Sequence, residues 1–434
     1  MDQGKTIQPV VRWCASASGA GKAALSMVIN LLAREFDGFR ASFRAQADAF
    51  HEVFPEIEVR FHFYPVEMVE EKMVRVGHPP LEVDVFLCST DWLPQLMEGG
   101  RLLPLNDYLA PHPPENWPGD WAMSLRQLQT RDAITYGIPY HDGPEVLLYR
   151  RDWFDDAQEK AKFLRRYHRE LRPPETWSEF YLLAHYFTRP QESRFGAVLA
   201  GFPDGHNLVY DFLLHLWSRG GALLAGRRPL FDQAAGQDAL EYYLRLYEDA
   251  LVNPACRGFD SIRAGEAFAR GDAALMWNWI GFALMAESSE SKVRGKVGLA
   301  RLPKGDGEGG RHVTLNSYWV LTIPQDALHP DWAWRFIQFV ANPAMDRITA
   351  FSGGHATRLS TWRDPEVQRR FPAYAVVEEL HQGAMTLPAI SQYPAINAVL
   401  NTMMTRALAG TPIRRVLHEA ADEAAEILAA GDGL

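Results

Sequence analysis

Cysteine is scarce: Cys14, Cys88 and Cys256 are the only three in 434 residues, and none belongs to a C-x-x-C pair. That excludes a disulfide-stapled scaffold and a cysteine-built zinc site. Cys14 and Cys88 each close an apolar strand-like run and read as buried thiols. No apolar stretch approaches the roughly 20 residues of a membrane-spanning helix. The opening MDQGKTIQP lacks an apolar h-region, so no secretory leader is read there; the chain is either cytoplasmic or has had a leader removed. Arginine outnumbers lysine but is scattered, and no basic run stands out. Together with a net charge of −10 and a pI near 5.8, this argues against nucleic acid as a partner. Internal repeats and low-complexity tracts are absent as well. What remains is an ordinary globular composition, 47% hydrophobic and 23% charged, too long for one compact core.

Catalytic signatures come close and then fail. CASASGAGKAAL (14–25) sits between the apolar VVRW and a helix-like pattern, where a phosphate-cradling turn would stand. As a P-loop it has Ser16 in place of the first glycine and Ala23 in place of the magnesium-binding hydroxyl. Gly19, Gly21 and Ala24 fit the dinucleotide pattern, but IEVRFHF, the next strand-like run, ends at Phe63 with no acid before Glu67. His51-Glu52 begins an H-E-x-x-H that Pro55 breaks, so no metal site is expected, and G-x-S-x-G does not occur. Asp142 and Glu145 form a carboxylate pair of the kind a glycosidase uses, which keeps a glycoside-acting enzyme as an alternative. No cofactor is expected.

Hydrophobic periodicity reads as alternating strands and helices. Leu25, Val28, Ile29, Leu32 and Phe36 fall at helical spacing, and a second helix runs from Phe43 to Phe54, stopped by Pro55. Ile57, Val59, Phe61 and Phe63 alternate as a strand, and Val83–Cys88 is a short buried strand. A second series contains strands at EVLLYR, GAVLAG and AALMWNW. It includes a helix opened by a capping box of Thr176 and Glu179, and another over Asn207–Ser218. This order predicts doubly wound sheets that bind ligands at the C-terminal strand ends.

Six segments, in this order, carry a resemblance: VDVFLCSTDWLPQLMEGGRLLPLNDYL, YGIPYHDGPEVLLYRRDWF, PPETWSEF, LLHLWSRGGALL, AFARGDAALMWNWIGF and SGGHATRLSTWRDPEV. Together they resemble the extracellular solute-binding protein family 1 of ABC transporters, the maltose-binding-like group. The resemblance implies a periplasmic-binding-protein-like type II α/β fold, two doubly wound lobes joined by hinge crossings near Ile138–Tyr140, Val297–Arg301 and Ile348–Phe351. One lobe then comprises residues 1–139 and 300–350, the other 140–299 and 351–434. It further implies a monomer outside the cytoplasmic membrane, periplasmic or extracellular, that captures a carbohydrate for an ABC permease. An extra helical stretch at about 20–42 departs from the family pattern beside the expected ligand region.

Sugar rings stack apolar faces on indoles and phenols and present hydroxyls to carboxylates and amides. Candidate ligand contacts follow from that chemistry. Trp277, Asn278 and Trp279 end an apolar run, with the two indoles on one strand face and the amide on the other, so core packing competes with ligand contact. Ser89, Asp91 and Trp92 lie just past a strand end, where Asp91 is either a hydroxyl acceptor or a helix N-cap. Tyr140 and Asp142 lie at the first crossover. Asn207 and Tyr210 open a helix where the resemblance places an aromatic contact; Asn316 and Ser317 stand where the family often has small residues. Ser16 in the glycine-rich turn, His355 and Arg358 after the third crossing, and Tyr393 before Pro394 complete the set. Arg358, with the alternative of an ion pair, and the Gly19–Gly21 turn keep an anionic solute such as glycerol phosphate open.

Overall fold

The structure is a computed structural model that describes residues 27–75, 82–192 and 194–430. The glycine-rich turn, with Ser16, lies outside the described residues. In chain order the principal strands are β1 (Met27–Arg34), β2 (Ile57–Tyr64), β3 (Val85–Ser89), β4 (Ile138–His141), β5 (Glu145–Arg150), β6 (Phe195–Val198), β7 (Ala273–Trp279), β8 (Val297–Ala300) and β9 (Trp319–Thr322). The helices that bear on the site are α1 (Asp37–Val53), α2 (Leu93–Glu98), α3 (Trp177–Phe187), α4 (Asn207–Ser218), α5 (Ser261–Arg270), α6 (Pro343–Phe351) and α7 (Tyr393–Leu408).

Residues 27–34 form a strand, which corrects the helical expectation for 25–36 and removes residues 27–34 from the extra helical stretch. Ile29, Leu31, Leu32 and Ala33 are all fully buried, because β1 lies inside a sheet covered on both faces. Such a strand reads as a continuous apolar run rather than an alternating one, and that run also fits helical spacing. The helix that follows begins at Asp37, and its Phe39, Phe43, Gln46 and Phe50 form one buried stripe.

The first sheet has the order β2-β1-β3-β9-β4. β1 pairs in parallel with β2 from Met27↔Ile57 to Arg34↔Tyr64, and with β3 at Leu31↔Val85. β9 runs antiparallel, setting Trp319 opposite both Ser89 and His141. Because β1 connects to β2 on one side and the chain then returns as β3 on the other, the strand order reverses beside β1. That is where a doubly wound sheet opens a crevice. The second sheet has the order β8-β5-β7-β6, with Trp279 opposite Glu145.

Between β4 and β5 only three residues carry the chain from one sheet to the other. Residues 355–358 still belong with the first sheet: the Asp142 N–H donates to His355 O, and Arg358 bridges to Trp121. Gly38, near the start of α1, lies where an added Cβ would sit 2.7 Å from Gly353 O. Only glycine there lets α1 close against that loop.

Candidate ligand-binding site

The C-terminal ends of β1, β3 and β4 and the start of β9 bring Arg34, Ser89, His141 and Trp319 to one sheet edge. Asp91 follows β3 by one turn. It is not a helix cap, since α2 starts at Leu93 with Trp92 at its N-cap and no side-chain cap bond. Instead its carboxylate accepts from Ser317 Oγ at 3.0 Å and from Tyr210 OH at 3.0 Å. Burial raises the Asp91 pKa, while His206 and the two hydroxyl donors draw it back. Trp92 lies parallel to Phe86 and meets Trp319 edge-on at 5.5 Å.

Tyr210 comes from the other half. It stands on α4, which is tied to the second sheet where Trp277 Nε1 donates to Asp211 Oδ1 at 2.5 Å. Its ring meets Trp279 edge-to-face at 6.0 Å. Trp279 ends β7 half-buried at the crevice rim, whereas Trp277 is buried against Trp177 and Phe180. Asn278 donates to Ser261 O at 2.9 Å and accepts from the Trp279 N–H, fastening the start of α5. The three residues of that candidate set therefore separate: Trp279 faces the crevice, and Trp277 and Asn278 serve the second sheet.

Several expected contacts turn inward. Tyr140 stacks on Phe43 at 4.4 Å, and its hydroxyl bonds Ser42 and Gln46, because alternation along β4 sends it under the sheet. Asp142 accepts from His381 Nε2 at 2.8 Å. Burial draws its pKa up, but the His381 and His355 imidazoles and the Gly143 N–H outweigh that and hold it below the ordinary value. His355 stacks on Tyr374 at 4.5 Å, and burial pushes its pKa down to about 4. Arg358 is fully buried: it pairs with Asp120, donates to the Ala341 and Glu115 carbonyls, and lies over Trp121. The ion-pair alternative thus accounts for it, and its support for an anionic solute disappears. Asn316 donates to Ser124 O, and Asn207 to Asp204. Tyr393 is buried at the start of α7, with its hydroxyl 3.4 Å from Asn397. Glu145 is buried 3% exposed, with one carboxylate oxygen unpartnered and its pKa raised first by burial and then by Asp211, so it forms no open pair with Asp142.

The crevice thus collects Ser89, Asp91, Trp92, Tyr210, Trp279 and Ser317 from the expected set. It adds Arg34, Phe36, His141 and Trp319, which the sequence reading missed. Arg34 and Phe36 were hidden by the helical reading of β1. Trp319 stands two residues after Ser317, in a strand whose register alone brings it to the rim. Among the described residues, no group of three or more His, Cys, Asp or Glu side chains is placed to hold a metal, and no helix is long and apolar enough to cross a membrane.

Two doubly wound α/β lobes meeting over aromatic and hydroxyl-accepting groups define a binding protein of the type II periplasmic class. Residues 35–346 match the family described as bacterial extracellular solute-binding protein, and the chain belongs to that family. A probable ABC transporter-binding protein of Deinococcus radiodurans is 21% identical over 79% of this chain and 80% of its own length. A putative binding protein of Brucella abortus is 22% identical over 67% of this chain; the match spans 66% of that relative, just under two thirds. Among solved structures, an ABC transporter solute-binding protein of Agrobacterium radiobacter K84 in complex with ribitol superposes with a TM-score of 0.81 at 22% identity. That superposition covers 94% of this chain and 100% of the other. Maltose-bound MalE3 of T. maritima gives 0.77 at 22% identity over 93% and 99%.

Proposed function

We propose that this chain is the solute-capturing component of an ABC importer, closing on a carbohydrate or polyol and delivering it to a membrane permease from the periplasmic or extracellular side. It acts as a monomer, and no bond in the solute is made or broken. The observation that carries the proposal is the Tyr210–Asp91 hydrogen bond, which joins a helix of one sheet to a strand end of the other beside Trp92 and Trp279. A pyranose ring or polyol chain fits such a setting, with C–H faces on the indoles and hydroxyls on Asp91 and Ser317. The maltose and ribitol held by structural neighbours support the same solute class. We place the lobe divisions at 139/140 and 299/300, with the last exchange beyond Arg358, since that residue still bridges to Trp121.

The test is a thermal-shift screen over mono- and oligosaccharides and polyols, run beside chromatography for products. A solute at a hundredfold excess over Kd adds about 2.7 kcal/mol of stability. A melting rise with the sugar recovered intact is the expected result. Steady appearance of product would establish the glycoside-acting alternative instead.

A further inference from the structure

Arg34 ends β1 at the crevice with its guanidinium 5.4 Å from the Trp319 ring centre and 5.9 Å from that of Phe36. Among the described residues, the buried arginines Arg150 and Arg358 are each neutralised by a carboxylate, Asp152 and Asp120 respectively. Arg34 is not. Its Nε is enclosed with no hydrogen-bond partner, and its terminal nitrogens form no hydrogen bond or ion pair among the described residues. Burial lowers its pKa, and Glu67 offsets this only through space. The neighbouring strand end gives no compensating charge. His141 accepts the His355 N–H at its Nδ1, and burial, then His355, push its pKa down to about 3.

Arg34 is half-buried, and a partly enclosed cation with no ion-pair partner is unfavourable unless something else supplies the charge. Its position at the strand-order reversal, on the strand beside Asp91, puts the open donors where a solute would lie. Trp319 touches both Arg34 and Trp92, so the cation and the indole shelf form one surface. A planar guanidinium with two free terminal nitrogens suits a carboxylate or phosphate, which it grips through paired charge-assisted bonds.

We infer that the solute carries an oxyanion, a carboxylate or phosphate on a polyhydroxylated skeleton, and that Arg34 receives it while Asp91 accepts hydroxyls. This rests on the carbohydrate reading above and narrows it to an acidic sugar. The test titrates the full chain calorimetrically with matched pairs that differ only at the oxyanion, D-galactose against D-galacturonate and D-glucose against D-glucose 6-phosphate, with maltose and D-mannitol as further neutral probes. The two acidic arms distinguish carboxylate from phosphate.

The expected result is binding of an acidic member well ahead of its neutral partner, weakened about 10- to 100-fold by R34Q and less by R34K. Ligand-free R34Q should melt no lower than the parent, since the change removes an unpaired charge. Neutral sugars bound as tightly as their acidic partners, or an acidic sugar bound alike by parent and R34Q, would overturn the inference and leave the carbohydrate reading standing. No binding by any probe would defeat both. A large fall in the melting temperature of ligand-free R34Q would make Arg34 a structural cation and also defeat the inference.

Discussion

Removing the Tyr210 hydroxyl is the perturbation with the most direct consequence. In Tyr210→Phe the ring still meets Trp279, but Asp91 Oδ2 loses the donor that joins the two halves at 3.0 Å. A hydrogen bond to a charged group is worth about 1.5–3 kcal/mol. Asp91 is half-buried, so the lower part of that range applies, about 1.5–2 kcal/mol. At about 1.4 kcal/mol per factor of ten, solute affinity should fall by about 10- to 30-fold. The proposed function makes this bond part of closure over the solute, so the melting temperature of the free protein is expected to move little. Ser317→Ala serves as the comparison: it removes the other donor to Asp91 and leaves the inter-lobe bond in place, so its effect should be the smaller one. Calorimetric titration with the best sugar from the screen measures all three proteins. An affinity for Tyr210→Phe within twofold of the parent would refute the reasoning.

Other consequences are separable. Trp277→Ala, which empties a buried site, should cost about 3–5 kcal/mol of stability. Trp279→Ala should weaken sugar binding while leaving the free protein's melting point nearly unchanged; calorimetry and thermal melts read both. Arg358→Met breaks a buried ion pair and two carbonyl contacts, so denaturant titration should show a loss of about 3 kcal/mol or more. Asp211 sets a pH dependence. Burial, partly offset by Trp277 and Tyr243, pushes its pKa up to about 7, against about 3.9 in an unfolded chain. Between those values the folded chain holds a proton that the unfolded chain has released. Stability is therefore fully present below about pH 4 and falls as pH rises through 7, by up to about 4 kcal/mol. Asp211→Asn should flatten that fall in melts taken between pH 5 and 8; an unchanged slope would contradict it.

The sequence made the second lobe more legible than the first. The helix over Asn207–Ser218 has the predicted limits, and the Thr176 half of the capping box holds, its side chain accepting from the Glu179 N–H at 3.3 Å. The Glu179 carboxylate reaches back to the Glu175 N–H rather than that of Thr176. Those signals are local, set by caps and by apolar stripes. β1 misled because a strand buried on both faces loses its period of two, and its leucines and isoleucine then imitate a helix. Arg358 and Trp277 misled for a different reason. A guanidinium or an indole near a strand end has the right chemistry for a sugar, and only packing decides whether it faces the crevice or a neighbouring helix. Register is equally silent in the sequence. Nothing local says that Trp319 lies opposite both Ser89 and His141, yet that pairing builds the rim.

A crystal structure of the chain grown with a mixture of neutral and acidic sugars tests the central claim most directly. The account predicts an intact sugar between the two sheets, a hydroxyl about 3 Å from the Asp91 carboxylate and a ring face against Trp92, Trp279 or Trp319. A sugar held elsewhere on the surface, or a cleaved product in the crevice, would contradict it.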